Sequence, residues 1–295
     1  MTTPTQTQPR SVLDLWPAHS VIDGDGVRIN RNSFSGRMHL LDPFLMLDEI
    51  VSEDPNDYIG GFPEHPHRGF ETVTYMLEGK MLHRDHMGNT GELVSGSVQW
   101  MTAGRGVLHS EMPQQESGRL HGFQLWVNLP AKYKMCAPNY REYQPADIKA
   151  IGVHNNSQIK VIAGSLQYWQ GDQWSAAVEG PVQGIATAPI MYDIHLSKGE
   201  DLKLKLDGDK KVLLYIYQGA VDVVSGEAQQ SIPEKHMALL DSGDCVHLRA
   251  HKNTRLLLLA GTPLREPIVH WGPFVMNNSD EIEQAVRDYH SGTLV

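Results

Sequence analysis

Between Gly60 and Pro113, side chains able to bind a metal recur two residues apart: His65 with His67, then His109 with Glu111. Two is a strand spacing, because successive side chains of an extended chain point to opposite faces and residues i and i+2 share one. The stretch therefore predicts two strands, each carrying a pair on one face. If both faces turn inward in a barrel, three imidazoles and a carboxylate meet there. Gly104 and Gly106, just before His109, would let the chain turn tightly into the second of these strands.

Three neutral imidazoles and a carboxylate suit Fe(II), Mn(II), Ni(II), Co(II), Cu(II) or Zn(II). The identity of the carboxylate stays open on spacing. Glu71 shares parity with His65 and His67 if their strand runs on without a bulge, and Glu111 shares parity with His109. Both cannot easily bind one ion and leave room for a substrate.

The other histidines read differently. His83 and His86, three apart in a turn-rich stretch, do not share a strand face and are expected in a solvated loop. His121 falls on the same face as Phe123, Leu125 and Val127, which suggests a hydrogen-bonded core or rim residue. His195, His236, His247 and His251 in the second half form no H-x-H or H-x-E pair, so no second metal site is expected. Trp100, Trp126, Phe44, Phe62 and Met46 could line a pocket for a flat aromatic molecule, although core packing is the better reading for any single one.

Short β-rich runs separated by glycine turns continue through the chain, at Gly79, Gly88–Gly91 and Gly96 and again at Gly199, Gly208, Gly219 and Gly243. With 295 residues, room for about two domains, the economical reading is an all-β chain of two tandem barrels. The expected division is a disordered tail over 1–12, a metal-binding barrel over 13–135 and a polar connection over 136–150. A second barrel without metal follows over 151–270, then a C-terminal segment with a helix over 271–295. Asn278 with Glu281 makes a capping box for that helix, and Ile282, Ala285, Val286 and Tyr289 fall on one face.

A net charge of −10 with no basic run argues against direct nucleic-acid or acidic-membrane binding. Only two cysteines occur, Cys136 and Cys245, in no metal-ligand spacing, as in a reducing cytoplasmic setting. The polar first ten residues make neither signal peptide nor anchor, and the apolar run Leu256–Ala260 is too short to cross a bilayer.

The strings H-P-H-R-G-F-E-T-V-T-Y (65–75), Q-W-M-T-A-G-R-G-V-L-H-S-E-M-P (99–113), G-F-Q-L-W-V-N-L (122–129) and P-L-R-E-P-I-V-H-W-G-P-F-V-M-N (263–277) resemble the pirin family of the cupin superfamily. The resemblance spans nearly the whole chain. It implies a bicupin of two jelly-roll barrels, with one metal, usually iron, in the N-terminal barrel only. It assigns His65, His67, His109 and Glu111 as ligands, and so prefers Glu111 to Glu71. By the same resemblance the expected activity is that of a quercetin 2,3-dioxygenase, which opens a flavonol ring with O2 and releases carbon monoxide, with Glu111 as the candidate general base. The competing implication is a metal-dependent, redox-sensitive regulator that binds a transcription factor or a metabolic enzyme; a redox-inert cupin such as an isomerase is a third. The chain is expected to act as a monomer.

Overall fold

Period-two burial marks several of the strands. In Asp201–Lys205, Leu202 and Leu204 are buried while Asp201, Lys203 and Lys205 face water, the pattern of a strand with one face on a core. Thr254–Gly261 differs, because Leu256, Leu257, Leu258 and Leu259 are all fully buried. A continuous apolar run is what a strand buried on both faces requires. Each such leucine contributes roughly 1.5–3 kcal/mol relative to exposure.

The structure, a computed structural model, describes residues 7–33, 38–154 and 156–295. It is mostly strand, all named strand pairings are antiparallel, and the chain divides into two compact units. Among the described residues, the C-terminal barrel comprises those of 148–263 together with 7–18. A seven-stranded sheet runs in the order Val12–Pro17, His236–Leu240, Lys211–Gln218, Thr254–Gly261, Ile190–Leu196, Gln158–Ala163, Lys149–Gly152. A four-stranded sheet, Asp201–Lys205, Cys245–Ala250, Ala220–Ser225 and Ala228–Pro233, completes it. Leu202, Val221 and Leu248 of the small sheet share one core with Tyr192, Leu214 and Leu258 of the large one.

The expected tail over 1–12 is corrected for its described part. Pro9 bridges Cys245, and the buried Arg10 donates from Nη1 to the Asp241 carbonyl at 2.6 Å and from Nη2 to the Asp207 carbonyl at 2.9 Å. Val12–Pro17 then extends the sheet beside His236–Leu240, with Val12 and Leu15 packed on the core. An edge strand presents unpaired amides and carbonyls, and the start of the chain satisfies them. Residues 1–6 of that expectation lie outside the described residues.

Among the described residues, the N-terminal barrel comprises those of 19–147 and 264–295. Its seven-stranded sheet includes Phe70–Glu78, Leu120–Asn128 and Phe44–Ser52 at the centre; its four-stranded sheet runs Phe62–His67, Val107–Pro113, Lys80–Asp85, Thr90–Val94. Ile29, Ile50, Met76 and Leu120 from the first meet Met81 and Leu93 from the second in a shared core. The polar connection expected over 136–150 contains a strand, Asn139–Tyr143, paired with Val98–Thr102 at the sheet edge. Its two prolines lie outside that strand and do not interrupt the ladder.

The C-terminal helix spans Ser279–His290. Asn278 Oδ1 accepts from the Glu281 amide at 2.9 Å, and Glu281 reaches back to the Asn277 amide at 2.9 Å. The helix buries Ile282 and Ala285 with Phe274, Met276 and Leu294, against Leu108 in the His109 strand. Among the described residues no helix is long and apolar enough to cross a membrane.

Candidate metal centre

Sheet register assembles the site. Phe62–His67 and Val107–Pro113 pair antiparallel with His65 directly opposite His109 and His67 opposite Val107, so the imidazoles of the two strands are cross-strand neighbours. The register then shifts, placing Glu111 opposite Phe62. On its other edge the same strand pairs without interruption with Lys80–Asp85, His109 facing Asp85 and Glu111 facing His83.

The three histidines converge. Nε2 of His65 and Nε2 of His67 lie 3.1 Å apart, and the His109 ring centroid is 4.3 Å from that of His65 and 4.9 Å from that of His67. One nitrogen of each falls within 4.8 Å of the others, a group that could hold a metal ion. His67 and His109 are buried. Burial, followed by the neighbouring imidazoles, holds both well below the usual histidine range, so both are neutral, the form that ligates metals. Among the described residues, Nε2 of His109 has no hydrogen-bond partner, a costly state for a buried nitrogen unless a cation takes the lone pair. The donor set therefore fits a metal.

Glu111 lies beside His109 and is fixed by two donors. Thr74 Oγ1 donates to Oε1 at 2.7 Å and Gln124 Nε2 to Oε2 at 2.7 Å. Each carboxylate oxygen retains a lone pair for a further partner. Glu111 groups with His109 and His83, whereas Glu71 falls in neither candidate group. Glu71 accepts from Thr102 Oγ1 at 2.8 Å, and burial pushes its carboxyl up to about 7 against that bond. Its parity with His65 and His67 does not carry through because the strand ends at His67 and restarts at Phe70. Between them Gly69 takes φ +91°, where a Cβ would collide with the Val275 carbonyl.

His83 corrects the solvated-loop expectation. It is fully buried on Lys80–Asp85, stacked on Tyr140 with centroids 4.7 Å apart and 24° between the planes. The signal was H-R-D, an i, i+2 pair of His83 with Asp85 rather than an i, i+3 pair with His86. His86 is exposed. His121 is buried and bonded to Glu49 Oε1 at 2.8 Å. In the C-terminal barrel His195 and His251 sit on Asp193 and Asp222, at 3.2 and 2.6 Å, and His247 sits on Asp201. His236 Nδ1 faces the Glu234 carbonyl at 2.9 Å.

A cavity of 630 Å³, within the roughly 300–1,000 Å³ range of small-molecule sites, is lined by His65, His67, Glu111 and Gln124. Met46, Phe62 and Trp126 add apolar lining, and the Arg31–Asp48 pair, 2.7 Å apart, adds charged lining. Trp100 and Phe44 are instead core residues. Thr74 and Gln124 were missed in the sequence because their role depends on strand pairing across the barrel.

Two antiparallel jelly-roll units with a histidine cluster in one barrel define a protein of the cupin class. The chain belongs to the pirin family: the pirin family model matches residues 26–127, and the pirin C-terminal cupin domain model matches residues 191–295. A Pseudomonas aeruginosa protein provisionally named a quercetin 2,3-dioxygenase is 48% identical over 288 residues, 98% of this chain and 99% of its own length. The crystal structure of a quercetin 2,3-dioxygenase from Acinetobacter baumannii superposes with a TM-score of 0.88 at 33% identity, covering 97% of this chain and 98% of that one. The Escherichia coli pirin YhhW, solved in complex with nickel(II), shares the fold at a TM-score of 0.63 and 18% identity, over 85% of this chain and 99% of its own.

Proposed function

We propose that the N-terminal barrel holds one divalent metal, iron in the cell, on His65, His67, His109 and Glu111, and that the adjoining cavity takes a flavonol for quercetin 2,3-dioxygenase-type ring opening with O2 and release of carbon monoxide. The observation that carries this reading is the convergence of three imidazoles, two of them buried and neutral, with His65, His67 and Glu111 lining a 630 Å³ cavity. When bound, the metal supplies Lewis acidity and access to redox chemistry with dioxygen.

The remaining work belongs to side chains. Glu111, held by Thr74 and Gln124, takes the proton of the flavonol hydroxyl. Its two bonds fix the carboxylate before substrate arrives, which removes the cost of orienting it during proton transfer. Trp126, Phe62 and Met46 offer apolar surface to a flat ring system. Support also comes from the names of the P. aeruginosa relative and the A. baumannii structure and from the nickel in the E. coli pirin.

The test is oxygen uptake and carbon monoxide release with quercetin, comparing the parent with His67→Ala and Glu111→Ala. Both signals are expected in the parent and neither in the variants. Turnover that persists in a metal-free variant overturns the mechanism. Metal binding without turnover moves the reading to a metal-dependent regulator.

A further inference from the structure

We propose that Asp85 and His83 form a hydrogen-bonded relay behind His109, which fixes the tautomer of that imidazole and strengthens it as a metal ligand. The proposal rests on the reading of His109 as a ligand. His109 has two ring nitrogens in different surroundings. Nδ1 lies 3.5 Å from Nδ1 of His83, while Nε2 is buried and, among the described residues, without a partner. The partnered nitrogen is committed to His83, and the orphaned one is left for the ion.

A neutral imidazole that ligates through Nε2 carries its proton on Nδ1. That N–H is buried and needs an acceptor, and Nδ1 of His83 is within reach. A His83 that accepts at Nδ1 carries its own proton on Nε2, which lies 3.4 Å from Asp85 Oδ2. The proton order thus runs from His109 to His83 to Asp85, and a carboxylate ends it.

Each member is held independently of the metal. Register sets Asp85 opposite His109 and His83 opposite Glu111, so the i, i+2 pair of one strand matches the i, i+2 pair of the next. The His83 ring is clamped against Tyr140. Asp85 Oδ1 accepts from the Met87 and Asn89 amides, both at 3.0 Å, and Oδ2 from Asn89 Nδ2 at 2.8 Å. A carboxylate so fixed, reached through an imidazole, gives the ligand more electron density than water would.

His83→Phe keeps an aromatic ring beneath Tyr140 and removes both nitrogens. Asp85→Asn keeps the side-chain size and an oxygen for the Met87 and Asn89 amides. Two quantities are read on iron-loaded protein: equilibrium transfer of Fe(II) to a competing chromogenic chelator, and the Fe(III)/Fe(II) midpoint potential. The relay predicts affinity weaker by about 10–100-fold in His83→Phe and a potential raised in both variants, because a less electron-rich His109 stabilises Fe(III) less. Affinity and potential unchanged from the parent overturn the relay. Complete loss of iron in His83→Phe, as expected for His67→Ala, also overturns it by making His83 a ligand. A parent that takes up no iron overturns the metal reading itself, and the relay with it.

Discussion

Arg68 and Asp288 stand 220 positions apart in the chain and 2.7 Å apart in space, with Nη1 donating to Oδ2. Arg68 follows His67 directly, and its Nε also donates to the Arg105 carbonyl in the turn before His109. One buried guanidinium therefore ties both histidine-bearing strands to the C-terminal helix. A carboxylate in the last turns of a helix opposes the macrodipole; Asp288 is tolerated because the Arg68 guanidinium compensates, and that bond holds its carboxyl below the usual range.

Asp288→Ala leaves the buried Arg68 with one acceptor fewer. The expected loss is about 1–3 kcal/mol, read as a lower urea midpoint with an unchanged slope. A midpoint equal to the parent's would show that the contact does not support the fold.

Glu71 gives the chain a pH-dependent stability. Its folded pKa is about 7 against an ordinary 4.5, so the folded state holds the proton more tightly than the unfolded chain. That contribution is fully present below pH 4.5 and is lost as pH rises through 7. It amounts to at most ~3 kcal/mol. Glu71→Gln, permanently neutral, should remove this component, so the stability difference between variant and parent should grow in the variant's favour from pH 4.5 to pH 8. A constant difference across urea titrations in that range would contradict the assignment.

Thr74→Val preserves shape and deletes the hydroxyl that donates to Glu111 Oε1. Metal affinity should fall roughly 10-fold or more, with kcat for quercetin falling alongside and the fold intact by circular dichroism. Unchanged affinity and kcat would mean that Gln124 alone orients the carboxylate.

The pairs His65 with His67 and His109 with Glu111 are legible because each is local, set by parity along one strand. Glu71 showed the limit of that rule, since Gly69 resets parity in a turn that spacing alone does not reveal. His83 gives a misleading signal, because its spacing to His86 hides the i, i+2 pair it makes with Asp85 on one strand face. Thr74 and Gln124 gave no signal, because only sheet pairing over long sequence separations brings them to Glu111. The same holds for the barrel limits. The polar segment Asn139–Tyr143 becomes an edge strand, and Val12–Pro17 pairs with His236–Leu240 at the other end of the sequence. Helix Ser279–His290, in contrast, carries its cap and its apolar face within one short stretch.

Metal analysis of freshly purified protein, parent beside His67→Ala, tests the central claim most directly. The parent should carry about one transition-metal ion per chain, chiefly iron, and the variant near none. Equal content in both, or a parent that stays metal-free after anaerobic incubation with Fe(II), would contradict it.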